Sequence, residues 1–514
     1  MKNISLKLNV TVLIRLLLLI IALIAFGIRI WGVDFGLPYL YHPDEPNKVQ
    51  IAQQILKTGD LNPHYFLKPS FFIYLNTIIY FPYLLFENLH GPKITISSLE
   101  PPHMLGMGIG YTPQPRTVLI GRLLSVIIGI LSVISIYFFA LNLFNSYPLS
   151  LLAAFLLAIS PDNVIHSRYI TPDIYVVFFT ILTAISSFRL YKFGERKDYI
   201  FSAISVGLAA SVKYNAGFVI IFPIVAHLMR RGIKGIIEWR LYMIGLISVF
   251  TFLILNPYSL LDFPNFYKGV IFEASHYKTG HPGMEGNSFF WYANYLIESY
   301  DLLILLSIFG LILAIYKKDR DWLFVLSFPL AYFAFISSFN VRNDRTVLPI
   351  TPFLIIFAIY FVNNLIKKFT RDKRLQILGF VSIFSIISIL MITKDIKYAK
   401  LITQPDGRET SRIWIEQNLP EGSKLAIESY SPFVNPEKFQ VQVVGQIIDH
   451  DLNWYYEQGF EYLIFSQGMY GRYFAEPQKY NEQVKKYQEF FEKLTPINIF
   501  NDGNYEIRIY KIQR

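Results

Sequence analysis

The sequence predicts a multi-pass α-helical membrane protein of about eleven spans, followed by a small extracytoplasmic α/β domain. Three observations carry this. Of the 514 residues, 53% are hydrophobic and 16% charged, against about 25% charged in soluble globular chains. The apolar residues gather in runs of helical length separated by short cationic connections. After Thr393 the pattern changes to mixed charge and shorter apolar runs. This composition argues against a soluble enzyme, a disordered chain and a nucleic-acid binder. The net charge of +10 matters through its placement beside the spans rather than its size. Cysteine is absent, which excludes a disulfide, a thiolate nucleophile and a cysteine-ligated metal.

A membrane helix needs roughly 20 apolar residues. The first candidate, Val12–Trp31, follows Lys2 and Lys7 and has no small-residue cleavage site behind it, so it reads as an uncleaved anchor. Further candidates cover 117–144, 149–165, 174–191, 199–212, 214–230, 241–257, 301–316, 322–339, 346–366 and 375–393. The segment Phe71–Phe86 is ambiguous, being short and interrupted by Pro82.

Charge settles it. Lys192, Arg196 and Lys197, then Arg230, Arg231, Lys234 and Arg240, occupy alternate connections. Lys317, Lys318 and Arg320, then Lys367, Lys368, Arg371, Lys373 and Arg374, continue the series, and the connections between are poorer in cations. Placing this set and the N-terminus in the cytoplasm requires Phe71–Phe86 to lie in or against the outer leaflet instead of crossing. The transmembrane domain is then 1–393, with outer loops over about 32–116 and 258–300. Residues 394–514 form the outer domain, a size at which a small domain folds without staples. In it Glu409–Asn418 reads as an amphipathic helix, and Lys424–Ile427, Tyr462–Phe465 and Tyr505–Tyr510 read as strands.

Ionisable residues at membrane depth are functional suspects, and here they collect on the outer face. Tyr41-His42-Pro43-Asp44-Glu45-Pro46 follows the first span. Its acid pair fits a general base, a metal site, or the N-cap of the helical run Asn47–Leu56. His64 and Lys68 lie in the run opening the ambiguous segment; Lys68 fits a phosphate ligand or a snorkelling lysine. Arg116 and Arg122 carry the same choice, and Arg122 lies inside an apolar run. The stretch from Ser160 to Asp173 contains His166 and Arg168, with Asp173 at the start of a span, where it fits a cap. Lys213-Tyr214-Asn215 breaks another apolar stretch. Arg342 and Arg345 flank Asp344, either paired with it or forming a fork on a phosphate. An anionic lipid headgroup needs such cations, and a hydroxyl acceptor needs a carboxylate base. No phosphate-binding loop of the G-x-x-x-x-G-K-[ST] type is present.

These motifs, in this order, resemble the GT-C glycosyltransferases that use polyprenyl-phosphate sugars. The nearest branches are the protein O-mannosyltransferases and the lipid A aminoarabinose transferases. The resemblance rests on His42-Pro43-Asp44-Glu45, Gly59-Asp60, Lys68-Pro69-Ser70 and Arg122-Leu-Leu-Ser125. It continues through His166-Ser-Arg168-Tyr-Ile-Thr-Pro-Asp173, Lys213-Tyr214-Asn215 and Arg345-Thr-Val-Leu-Pro349-Ile-Thr-Pro352. The run from Thr410 to Ser423 resembles the outer domain of many bacterial and archaeal members. It implies an integral protein of a bacterial or archaeal plasma membrane with an outward-facing site and a lipid-phosphate sugar donor. Asp44 is then the base, with Glu45 orienting or binding the acceptor. Lys68, Arg122, Arg342 and Arg345 are phosphate ligands. His42, His64, His166, Arg168, Asp173, Lys213, Tyr214 and Asn215 line the site. Lys-Pro-Ser in place of Lys-Pro-Pro makes aminoarabinose a poorer substrate, and the missing soluble insert leaves a protein acceptor unassured.

The partners expected are the donor, membrane lipids and an acceptor the sequence does not identify, with no nucleic acid. No metal is expected to be required, although a divalent ion is compatible with His42, His64, His166, His276 and His281 near the carboxylates. The alternatives are a glycan ligase or oligosaccharyltransferase using a pyrophosphate carrier, and a transporter or lipid flippase. The transporter lacks the paired halves expected of it.

Overall fold

The structure, a computed structural model, describes residues 2–90, 96–280, 282–283, 285–503 and 505–512. Every one of the eleven expected segments is helical. Five stretches are long and apolar enough to cross a membrane: Val10–Ile30, Pro115–Phe144, Asp173–Lys192, Asp344–Phe369 and the one beginning at Lys373. They make the chain an integral membrane protein. Ser288–Tyr300 and Leu302–Lys317, bent by 118° at their junction, count as a sixth if taken together. The junction residue Asp301 has φ +45°, a left-handed conformation that turns the chain sharply. The other expected spans are helices that fall short in length or hydropathy alone, such as Tyr147–Ala158 and Trp239–Leu255.

Burial orders the bundle. The apolar window of the Asp344–Phe369 stretch is 89% buried and that of Val10–Ile30 is 11% buried. The first is therefore the central rod, and the second presents its leucines and isoleucines outward. The helix Phe71–His90 buries Phe72, Ile73, Tyr80 and Leu84. It packs against the helices Glu45–Thr58 and Pro115–Phe144 and leaves Ile78, Phe81 and Leu85 exposed.

The cation-rich connections meet at one end of the bundle. Lys192 pairs with Asp321 at 2.6 Å, and Arg230 donates to the Lys192 carbonyl at 3.0 Å. Arg320 donates to the Met229 carbonyl. Asp173 begins the helix that Lys192 ends, so its own cluster lies about 30 Å away at the opposite end.

The last membrane helix runs from Lys373 on to Thr403, past the expected boundary at 393. Lys394, Asp395 and Lys397 lower the local hydropathy without breaking the helix, because none is a helix breaker. Beyond it, strands β3 (Lys424–Glu428), β4 (Gln440–Val444), β5 (Tyr462–Ser466), β6 (Pro496–Phe500) and β7 (Ile507–Lys511) form one sheet ordered β4-β3-β5-β7-β6. They are numbered after a hairpin of β1 (His103–Gly106) and β2 (Ile109–Tyr111) in the first loop. The pairs β3–β4 and β3–β5 are parallel, and β7 joins β5 and β6 antiparallel. β5 is buried along its whole length, as the central strand of a sheet covered on both faces must be.

The hairpin seats this domain on the membrane part. Ile109 enters the sheet's core with Ile427 and Phe433, and Tyr430 N–H donates to the Met107 carbonyl at 2.8 Å. Gly108, at φ +70° with its missing Cβ against the Tyr430 ring, permits that approach. Arg408 donates to the Tyr41 carbonyl at 3.1 Å and lies over the Tyr41 ring, whose hydroxyl donates to Glu409 at 2.9 Å. Tyr41 is three residues from Asp44, so the sheet domain braces the segment that carries the acid pair.

Inside the sheet domain, burial pushes the Glu428 carboxyl up to about 8. An acid held above its unfolded pKa stabilises fully below the unfolded value and loses that contribution as pH rises through the folded one. The thermal midpoint of the full chain in detergent is expected to fall between about pH 5 and pH 8. Glu428→Gln should flatten that slope; an unchanged slope removes Glu428 as its cause.

Candidate active site

The acid pair splits, each member turned to a different task. Asp44 stands where a helix cap would, before Glu45–Thr58 with Pro46 in its first turn. Its side chain caps nothing there and instead ion-pairs with Arg345. Its backbone N–H donates to His42 Nδ1 at 3.3 Å. Burial pushes His42 down to about 4, so at neutral pH the ring is uncharged and accepts that bond, its centroid 4.2 Å from that of the tilted Tyr169 ring. Burial alone would raise the Asp44 carboxyl; Arg345, Lys48 and His42 together hold it well below the ordinary carboxylate range. Asp44 is an ionised carboxylate, partly open to solvent.

Glu45 faces inward. It is fully buried and takes a two-pronged bond from Arg122, at 2.9 and 2.7 Å, and the Ile170 N–H at 3.0 Å. Arg122 spends its remaining amino group on the Val33 and Phe35 carbonyls, each at 2.9 Å, and lies over the Phe35 ring. This corrects two expectations. Arg122 is fully buried with four of its five N–H donors engaged, so it is not placed to hold a phosphate, and both Glu45 oxygens are engaged away from an acceptor. The pair is a buried clamp beneath the site.

Two 3-10 segments deliver the cations. Lys213, extended at φ −156°, ends the helix Arg196–Val212 and precedes the 3-10 turn Tyr214–Ile220. Its ammonium meets Asp173 at 2.7 Å. Asp173 likewise caps nothing. Arg345 lies in the 3-10 turn Asp344–Ile350, where the Asn343 side chain accepts its N–H at 3.2 Å. Lys68 pairs with Glu273, on the helix Phe263–Thr279, and faces the ring of Tyr277. His166 Nε2 lies 3.7 Å from Asp344. Burial opposes its charge most strongly, but Asp344, Asp173 and Asp162 together outweigh burial and raise the imidazole. Tyr214 donates to the Phe66 carbonyl at 3.0 Å, and the buried Asn215 Oδ1 has no bonding partner among the described residues.

Three expected residues stand apart. His64 is exposed and bonded to Asp60 at 2.9 Å. Arg342 pairs with Glu476 of the sheet domain at 2.7 Å, which makes it a tie between domains and not a phosphate ligand. Arg168 is buried under the site and donates to the Ile28 carbonyl at 2.7 Å. The structure adds Lys48, Tyr65, Glu273 and Tyr277. Lys48 was legible as Asp44 plus four, one turn along the same helix face; Glu273 has no such signal. Among the described residues, no three His, Asp or Glu side chains gather as a metal site. His281 lies outside the described residues.

Residues 103–267, less than half the chain, match the family model of dolichyl-phosphate-mannose-protein mannosyltransferases. An uncharacterized protein of Aquifex aeolicus is 25% identical over 285 residues, 53% of this chain; the chain spans about half the length of that relative, 54%. ArnT of Cupriavidus metallidurans, solved with undecaprenyl phosphate bound, superposes with TM-score 0.50 at 14% identity over 98% of both chains. The oligosaccharyltransferase of Archaeoglobus fulgidus, solved with zinc and sulfate, superposes with TM-score 0.56 at 13% identity, over 89% of this chain and 69% of that one. The chain has the GT-C membrane fold of these structures.

Proposed function

We propose that this chain is a membrane glycosyltransferase. It moves a monosaccharide from a polyprenyl-phosphate carrier to an acceptor hydroxyl, with its site facing out of the plasma membrane of a bacterium or archaeon. The observation that carries this reading is one ionised carboxylate, Asp44, among Arg345, Lys48, Lys213 and Lys68 at the cation-poor end of the bundle. The family match and the fold of lipid-carrier enzymes support it.

The reaction follows from that arrangement. The acceptor oxygen attacks the anomeric carbon and its proton passes to Asp44. The bond from that carbon to the phosphate oxygen breaks on the opposite face, so the centre inverts. The lipid phosphate leaves with the electron pair, and Arg345 and Lys68 stabilise the charge. Arg345 thereby serves both anions: as the phosphate draws it off Asp44, the carboxylate becomes a stronger base when one is needed.

Lys68 and Glu273 give the test, because they act with opposite signs. Hydrogen bonds to charged groups are worth about 1.5–3 kcal/mol, so Lys68→Ala should raise the donor Kd roughly tenfold or more. Glu273→Gln removes the carboxylate that competes for Lys68 and should lower Kd. Donor affinity unmoved in both variants, measured with polyprenyl-phosphate sugars in nanodiscs, rules out this phosphate site.

A further inference from the structure

Four cations reach the cluster and three have carboxylates: Arg345 has Asp44, Lys213 has Asp173 and Lys68 has Glu273. Lys48 has none. Among the described residues no carboxylate lies within ion-pairing distance of its ammonium, and its close partner is the Tyr65 ring, 5.5 Å to the centroid. The residue is only 4% exposed. It lies within electrostatic reach of Asp44, Arg345, Asp173 and Glu273, members of all three pairs. An unmatched ammonium in such a place is costly and burial presses it toward its neutral form. Asp44 relieves it only in part, since that carboxylate is ion-paired with Arg345 and burial still lowers the lysine. With Asp344 set against His166, the four cations and three carboxylates leave one positive charge unmatched, at Lys48.

The geometry points to Lys48 as a direct ligand of the donor's phosphate, the cation that receives the lipid-linked anion between the base and Lys68. This rests on the proposed transferase reaction, which brings one phosphate to this end of the bundle. Unlike Lys68 and Arg345, Lys48 gives up no carboxylate to accept it. The helix Glu45–Thr58, which Asp44 directly precedes, would then hold base and leaving group on adjacent turns and fix their spacing.

The experiment is binding of polyprenyl monophosphate to the full chain in phosphatidylcholine nanodiscs. Lys48→Gln should raise Kd about tenfold or more, while Lys48→Arg, which keeps the charge, should stay within about threefold. A Lys48→Gln Kd within about twofold of wild type overturns the inference while leaving the transferase reading intact. Wild type that does not bind polyprenyl phosphate overturns both. Inorganic phosphate displacing the lipid at equal concentration identifies a free-phosphate site and overturns the lipid assignment. A structure of wild type with the lipid bound is independent of any variant's folding. A phosphate oxygen in hydrogen-bond reach of Lys48 Nζ supports the inference, and a phosphate held by Lys68 and Arg345 alone overturns it.

Discussion

Asp44→Asn is expected to lower sugar transfer by at least about 100-fold, the lower end of what a general base contributes, while donor binding stays near wild type. The amide keeps the size of the side chain and cannot take the acceptor's proton. It also loosens Arg345, whose partner in the resting site is the Asp44 carboxylate, so the phosphate meets a less occupied arginine. Donor affinity should therefore hold or improve as turnover collapses. The measurement is paired: donor Kd and single-turnover transfer from the same preparation. Equal loss in both would assign Asp44 to binding and leave the base elsewhere. The pH profile adds a sign. Burial works against the Asp44 anion, but Arg345 and Lys48 hold it ionised far below neutrality, so free Asp44 should impose no acid limb on wild-type kcat/KM near neutral pH.

Hydropathy and cation placement were enough to find the helices and their partition into two ends, because each of those signals is local along the chain. The cluster was legible as a list of residues and not as a set of contacts. Asp44 and Arg345 lie 301 positions apart, and no spacing rule links them. Residue type alone also left capping open for Asp44 and Asp173; both stand at helix starts, and both turn their carboxylates to cations from other segments. Arg342 shows the limit from the other side. Beside Arg345 it looks like half of a phosphate fork, but Glu476 takes it from a domain folded more than a hundred residues later. Strands β4 and β6 went unread because each is a short run of five residues at a sheet edge, where most side chains stay partly exposed and no continuous apolar run marks it.

Arg122→Ala is expected to cost the folded chain and not the chemistry. Removing one partner of a buried ion pair leaves the other uncompensated, at about 3–5 kcal/mol. Here both side chains are fully buried, and Arg122 also satisfies the Val33 and Phe35 carbonyls. Those carbonyls lie just after the first helix and Glu45 opens the next one, so the clamp fixes the segment on which Asp44 rides. Replacing both partners, Glu45→Gln with Arg122→Met, removes both charges and should be milder than either single change. The check is a double-mutant cycle on thermal unfolding in detergent, with donor binding counted per folded molecule. A coupling of several kcal/mol with unaltered donor Kd fits the clamp. Arg122→Ala that unfolds like wild type but binds donor weakly would return the arginine to the phosphate.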